Sequence, residues 1–370
     1  MTITSRKLTA AAALALAAAA TAVPAGSAVA APAHQPAHRP APRVTVLSTS
    51  YVFPLQFAVA PGGRVYVADG SSVFRLGRTT PIATAAGKLG ATGVEVERQG
   101  PFAVAFTSGD PQAGRAYLTV KPATGRSVTA DLHAFEATHN PDKVNAYGVK
   151  NPSPCVRAGL ESGPQAPPAS YTGQVDSNPY AVADAGSGWY VADAGGNDIV
   201  KVDRRGKVSL VAVLPPQPSV ITAELAASLS APSCVVGVSY AFEPVPTDVE
   251  RGPDGMLYVS TLPGGAEGPA SGTRGSVYRV NPRTGAVQQI ATGFAGATNV
   301  AVDDHGRIYV AEFFGGRISV VRDGRPCPLL DLPGVSAVEW QDGHLYASTV
   351  APMDANGVPH GKGSIVRIDV

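Results

Sequence analysis

A chain of 370 residues with 29 Lys and Arg against 28 Asp and Glu has a formal net charge of +1, which excludes the basic field that holds nucleic acid or an anionic membrane. Its 41 Gly and 33 Pro with only 6% aromatic residues fit a turn-rich all-β protein. Three cysteines leave at least one thiol free or paired between molecules.

The amino terminus reads as an export signal. Arg6 and Lys7 precede an apolar run over residues 8–20, and Ala28-Val29-Ala30 fits the small-x-small cleavage pattern, so residues 1–30 are expected to be a secretory signal peptide. No later stretch approaches the roughly 18 uninterrupted apolar residues of a membrane span, so a secreted protein is expected. Residues 31–42, A-P-A-H-Q-P-A-H-R-P-A-P, have no apolar periodicity and predict a disordered Pro/Ala/His-rich linker in which His34 and His38 are solvated. One folded domain is expected over residues 43–370.

From residue 56 the chain repeats itself, at 56–69, 92–106, 178–193, 247–261, 298–312 and 336–349. Each unit has an alternating apolar strand, a short Gly-containing turn, and a second strand of β-branched and aromatic residues. Tyr66, Tyr190, Tyr258, Tyr309 and Tyr346 occupy one shared position, where the second unit has Ala103. A third and a fourth strand follow, as in 198–203 and 207–214 around an Arg-Arg-Gly turn. Four short antiparallel strands repeated radially make a propeller blade, which predicts an all-β, six-bladed β-propeller. The sixth unit ends after its third strand, at 364–370, whereas residues 43–48 form an orphan strand before the first unit. Closure by pairing of the N-terminal strand with the C-terminal blade is therefore expected, because it removes two open sheet edges.

The long connections, residues 134–177, 215–246, 262–275 and 350–363, all leave the same face of such a ring, which marks that face for binding. Within the first connection's approach, residues 129–140 read as a helix capped by Thr129 and stopped by Pro141, with His133 and His139 on its surface. A second short helix is expected at 221–229. Cys155 and Cys234 lie in two neighbouring, irregular inserts, so a disulfide between them is expected in an oxidising compartment, with Cys327 left buried and inert. Residues 353–357, M-D-A-N-G, begin like a calcium loop but lack the downstream acidic ligand and read as a solvated loop.

The first residues of the inner strands, Gln56, Thr92, Asn178, Asp248, Asn299 and Ser336, are expected at the channel mouth, with Asp69, Asp193 and Glu312 beside them. Of these, Gln56, Asn178, Asp193, Asp248, Asn299 and Glu312 are the ligand or metal candidates. Oxygen donors of this kind suit calcium, or a small polar molecule; the alternative is that they cap free backbone groups at strand ends. No nucleophile triad, zinc motif, phosphate loop or dinucleotide fingerprint is present.

The segments at 130–142 (A-D-L-H-A-F-E-A-T-H-N-P-D), 176–180 (D-S-N-P-Y), 190–198 (Y-V-A-D-A-G-G-N-D) and 245–255 (V-P-T-D-V-E-R-G-P-D-G) together resemble the ScyD/ScyE family of exported six-bladed propellers related to NHL-repeat proteins. The resemblance implies an exported propeller and little about its activity; the expected function is a secreted, monomeric binding or accessory module that engages a small polar molecule or an extracellular partner through its loop-bearing face. A looser similarity is to the calcium-dependent gluconolactonase and regucalcin group, which implies a metal-dependent hydrolase with Asn178, Asp248 and Asn299 as ligands, although Gln56-Phe57-Ala58 stands where that group has Glu-Gly-Pro. The third reading is a scaffold for protein interaction.

Overall fold

The computed structural model describes residues 42–98, 103–162, 168–265, 267–354 and 358–370. The expected signal peptide, the linker up to residue 41, and residues 355–357 lie outside the described residues.

Each repeat folds into a four-stranded antiparallel sheet of consecutive strands. Sheet one takes Phe57–Ala60, Arg64–Asp69, Ser72–Arg75 and Ala83–Thr84; sheet two takes Gly90–Val96, Ala103–Asp110, Arg115–Pro122 and Val128–Asp131. Sheet three takes Pro179–Asp184, Gly188–Asp193, Asp198–Asp203 and Val208–Val213; sheet four takes Pro246–Arg251, Leu257–Thr261, Gly275–Val280 and Val287–Phe294. Sheet five takes Ala297–Val302, Ile308–Glu312, Arg317–Arg322 and Arg325–Asp331. Sheet six takes Val335–Gln341, His344–Thr349 and Ser364–Asp369, and its outer strand is Arg43–Ser48 from the other end of the chain, with Arg43 opposite Asp369 and Val46 opposite Val366.

Sheets stack because each has two apolar faces and no way to bury both alone. Every neighbouring pair shares one apolar cluster: Phe106 and Tyr66 between sheets one and two, Trp189 and Leu118 between two and three, and Leu257 and Ile199 between three and four. Phe294 and Val310 fill the next, Tyr309 and Leu345 the one after, and Phe57 with Ile365 the interface of sheet six with sheet one. The innermost strands pack side by side in the same cyclic order, so Phe57–Ala60 lies against both Gly90–Val96 and Val335–Gln341.

The Tyr row has a packing reason. Tyr66, Tyr190 and Tyr309 lie opposite Ala58, Ala183 and Ala301, which leave room for a ring on the neighbouring strand. In sheet two the matching position is Ala105, paired with Glu95, rather than Ala103 as the sequence spacing suggested, because its turn is longer than the others.

The two longest inserts are not irregular. Ala146–Gly148 and Ser170–Thr172 from the first pair with each other, Gln217–Val220 and Ser239–Phe242 from the second do likewise, and Gly148 joins the two through Ala241. Helices α2 (Pro154–Leu160) and α3 (Ala223–Ser228) cover this seventh sheet over Leu160, Ile221, Leu225, Tyr240 and Phe242. Cys155 and Cys234 are disulfide-bonded across 79 residues of sequence, joining the inserts as their positions suggested. Cys327 is free but only half-buried on an outer strand, not buried as expected. Helix α1 runs Leu132–His139 and is capped by Asp131, whose Oδ1 accepts from Ala134 N at 2.8 Å; Thr129, the expected cap, belongs to sheet two opposite Thr119. No helix among the described residues is long and apolar enough to cross a membrane.

Candidate functional site

At the loop-side end of the inner strands, a register shift sets two successive polar layers in sheets four, five and six. In the outer layer the Thr247 hydroxyl donates to Ala297 O (2.8 Å), Thr298 to Ser336 O (2.9 Å) and Ser336 to Pro54 O (3.1 Å). Thr92 does the same to Pro179 O at 3.1 Å. Each of these bonds runs from one sheet to the next.

The next layer does so with longer side chains. Asp248 Oδ2 accepts from Val300 N (2.9 Å), and Asn299 Oδ1 accepts from Val338 N (2.7 Å) while its amide donates to Gln56 Oε1 (2.9 Å). Gln56 in turn donates to Thr247 O at 3.4 Å. All three are at least nine-tenths buried. Burial pushes the Asp248 carboxyl up to about 7, against the two backbone N–H groups that favour its charge.

Asn178 is not part of this layer. Pro179 pairs with Asp193 as Pro246 pairs with Thr261, so Asn178 precedes that level by one residue while Asp248 follows it by two. The acids at second-strand ends hold their own loops. Asp193 accepts from the Ser177 hydroxyl, from Asn178 N (2.6 Å) and from Gly196 N (3.0 Å). Glu312 is engaged by Arg317 (2.8 Å), the Ser319 hydroxyl (2.5 Å) and Ala295 N (2.7 Å), and Asp69 accepts from Phe53 N at 3.3 Å.

A calcium ion does not fit Asn178, Asp248 and Asn299. The register separates Asn178 from the other two, the Asn299 carbonyl is committed to a backbone N–H, and Asp248 supplies the only carboxylate.

The opposite end of the inner strands is different. One first-to-second-strand turn from every sheet converges on a cavity of about 330 Å³, lined among others by Pro61, Arg98, Asp184, Pro253, Asp303 and Asp342. Such a volume admits a small molecule. Glu95 and Glu250 point into it from the inner strands, and Glu339 lies at the same level. Glutamate stands on sheets two, four and six, and Ala58, Ala183 and Ala301 stand on sheets one, three and five. Small and acidic residues thus alternate around one layer.

Arg98 is the cation nearest these carboxylates, 3.7 Å from Glu95 and 3.9 Å from Glu339. Burial raises all three glutamates, with Glu95 pushed up to about 7 and Glu250 and Glu339 well above their ordinary values. The carboxylates' mutual repulsion adds to this, while Arg98 opposes it. At the rim, Trp340 stacks on Tyr309 with ring centroids 5.8 Å apart and donates to Asp304 Oδ2 at 3.1 Å, which fixes a flat aromatic wall beside the acids. The sequence reading missed Glu95, Glu250, Glu339 and Arg98. Their signal was the Val-Glu that recurs just before the first turn in V-E-V-E-R, D-V-E-R and A-V-E-W.

No protein-family model and no curated protein sequence matches the chain. Its fold is similar to that of a streptogramin B lyase, with 12% identity, 88% of this chain and 97% of that chain covered, and a TM-score of 0.50. A gluconolactonase from Xanthomonas campestris matches at 12% identity over 89% of each chain, also with a TM-score of 0.50. These similarities define the class as an all-β protein of the β-propeller fold.

Proposed function

We propose that this chain is a secreted, monomeric, six-bladed β-propeller of the ScyD/ScyE type that binds a small organic cation at the turn-side end of its axis. The cyclic set of six interface clusters and the pairing of the two chain ends support the closed ring. The export signal and the Cys155–Cys234 disulfide support secretion, since such bonds persist in oxidising compartments.

One observation carries the ligand class: Glu95, Glu250 and Glu339 are buried on one layer at the cavity, and among the described residues Arg98 is ion-paired only to Glu95 and Glu339. Six carboxyl side chains line the cavity, Glu95, Asp184, Glu250, Asp303, Asp304 and Asp342, against the two cations Arg98 and Arg251, an acidic excess that a diamine or polyamine would offset. The acidic rim and the face of Trp340 extend that preference, because ammonium groups are attracted to carboxylates and to indole faces alike. Binding without turnover is the reading favoured here, since two of the residues that a lactonase-type metal would need, Asp248 and Asn299, are used as fasteners between sheets and Asn178 lies at a different level.

Titration calorimetry of the purified protein with putrescine, spermidine and an uncharged diol of similar size tests the assignment. Saturable binding of the amines, lost in Glu250→Gln and absent for the diol, is the expected result. No amine binding at pH 8 by a folded wild-type protein would overturn it.

A further inference from the structure

A second acidic cluster lies far from the turn-side cavity, where α1 and the first insert meet sheet three. Glu136 comes from α1 and Asp142 from the turn after Pro141, while Asp193 and Asp198 close the second and open the third strand of sheet three. They are 2%, 0%, 4% and 2% exposed, respectively. The charges acting most strongly on Glu136, Asp142 and Asp198 are other carboxylates, and no arginine or lysine stands among them. Buried like charges without a counter-ion are costly, and burial raises the Glu136, Asp142 and Asp198 carboxyls, so either protons or a bound cation must neutralise them.

The hydrogen bonds show what is left over. Glu136 Oε2 accepts from Ser177 N (2.5 Å), and Asp142 Oδ2 accepts from Tyr147 Oη (3.1 Å) and Asn197 Nδ2 (3.0 Å). The other oxygens of the same side chains, Glu136 Oε1 and Asp142 Oδ1, are buried with no partner, and so are Asp198 Oδ1 and Asn140 Oδ1. Of the five buried side-chain polar atoms without a partner among the described residues, four are these oxygens. Two glycines pack directly against these carboxylates. A Cβ at Gly196 would stand 3.4 Å from Glu136 Oε1 and from the Asp193 carboxyl carbon, and one at Gly173 would collide with the Asp142 carboxylate.

We propose that this cluster is a divalent-cation site, for calcium, which fastens α1 and the first insert to sheet three. Hard oxygens, mixed carboxylate and amide, are the ligands that ion takes, and a single double charge offsets the repulsion while using the free oxygens. Among the described residues no three acidic side chains already enclose a metal-sized point, so uptake must draw the oxygens inward. That movement couples the ion to the seating of the helix and the insert. The proposal is independent of amine binding at the turn-side cavity, with which it shares no residue.

The test is metal analysis of the full mature chain after desalting, with thermal unfolding in excess calcium and in excess EDTA at pH 7. A retained divalent ion near one per chain, a Tm several degrees higher in calcium, and loss of both in Asp198→Asn and Glu136→Gln are expected, with Glu250→Gln keeping them. Circular dichroism establishes that the variants fold. A wild-type chain that retains no ion and unfolds at the same temperature in calcium and EDTA overturns the proposal. A Glu136→Gln variant that keeps the full calcium response overturns it as well.

Discussion

Asn299 of sheet five donates its side-chain amide to the Gln56 carbonyl of sheet one at 2.9 Å, across 243 residues of sequence, while its own carbonyl accepts from Val338 N of sheet six at 2.7 Å. One side chain therefore ties three sheets. Asn299→Ala is expected to leave a buried backbone N–H and the Gln56 carbonyl without partners, at a cost of about 3 kcal/mol. Asn299→Asp, which keeps the acceptor for Val338, should lose less. Urea unfolding of both variants checks the order, and amine binding at the turn-side cavity should be unchanged in whichever variant remains folded.

The residues that reveal the fold and those that reveal the site differ for a physical reason. Tyr66, Tyr190, Tyr258, Tyr309 and Tyr346 with their flanking Gly turns repeat because every sheet solves the same packing problem, so periodicity alone exposes them. The strand from residues 43–48 was legible because it had no partner of its own nearby. Ala146–Gly148 and Ser170–Thr172 were not, since three-residue strands carry no alternation and their sheet is completed from an insert far along the chain. Helix α1 starts later than expected because Thr129 finds a cross-strand partner in Thr119 before it can cap anything. Asp248 and Asn299 looked like ligands because oxygen-bearing side chains at strand starts serve either role; only the neighbouring N–H groups of Val300 and Val338 decide between them. Glu95, Glu250 and Glu339 escaped notice because they occupy positions of otherwise apolar inner strands.

Amine binding at the turn-side cavity should depend on pH with a definite sign. The cavity glutamates attract a cation only when ionised, and burial has pushed Glu95 up to about 7 and Glu250 and Glu339 well above their ordinary range. Spermidine affinity is expected to fall as pH drops below about 7 and to strengthen toward pH 8, where the amines are still charged. Titration at pH 5.5, 7 and 8 checks it. The same shift affects stability: a carboxyl whose folded pKa lies above its unfolded one favours the fold below the unfolded value, and that advantage is lost as pH rises through about 7. Arg98→Ala removes the cation that opposes the shift, so its deficit against wild type should be larger at pH 8 than at pH 5.5.

Reduction should loosen the insert sheet before the rest. The Cys155–Cys234 bond closes a loop of 79 residues, for which a chain-entropy model gives about 4.5 kcal/mol of stabilisation. The strands it supports are only three or four residues long, and Gly148 is the single point of register between the two inserts. Hydrogen exchange after mild reduction is expected to rise over the insert strands Ala146–Gly148, Ser170–Thr172, Gln217–Val220 and Ser239–Phe242 and over α2 and α3, while the inner strands of the six repeat sheets, that of sheet three included, stay protected. A uniform rise across the chain would show instead that the insert sheet and the ring open together.

The outer strand of sheet six is the only one of the six supplied from the opposite chain end, and its removal tests whether that pairing closes the ring. Arg43–Ser48 covers the free backbone edge of Ser364–Asp369, the strand whose Ile365 helps to fill the cluster between sheets six and one. Its own outer side chains are exposed, Val46 at 59% and Val44 at 39%, so the strand contributes backbone pairing more than apolar burial. A chain beginning after residue 48 is therefore expected to keep its core but to present an open, β-branched edge, which templates pairing with other chains. Light scattering should show concentration-dependent association of the truncated chain under conditions where the chain from residue 43 remains monomeric, and a synthetic R-V-T-V-L-S peptide added in excess should suppress it. If the truncated chain stays monomeric with an unchanged Tm, the strand is an accessory to sheet six and the proposed ring does not depend on it.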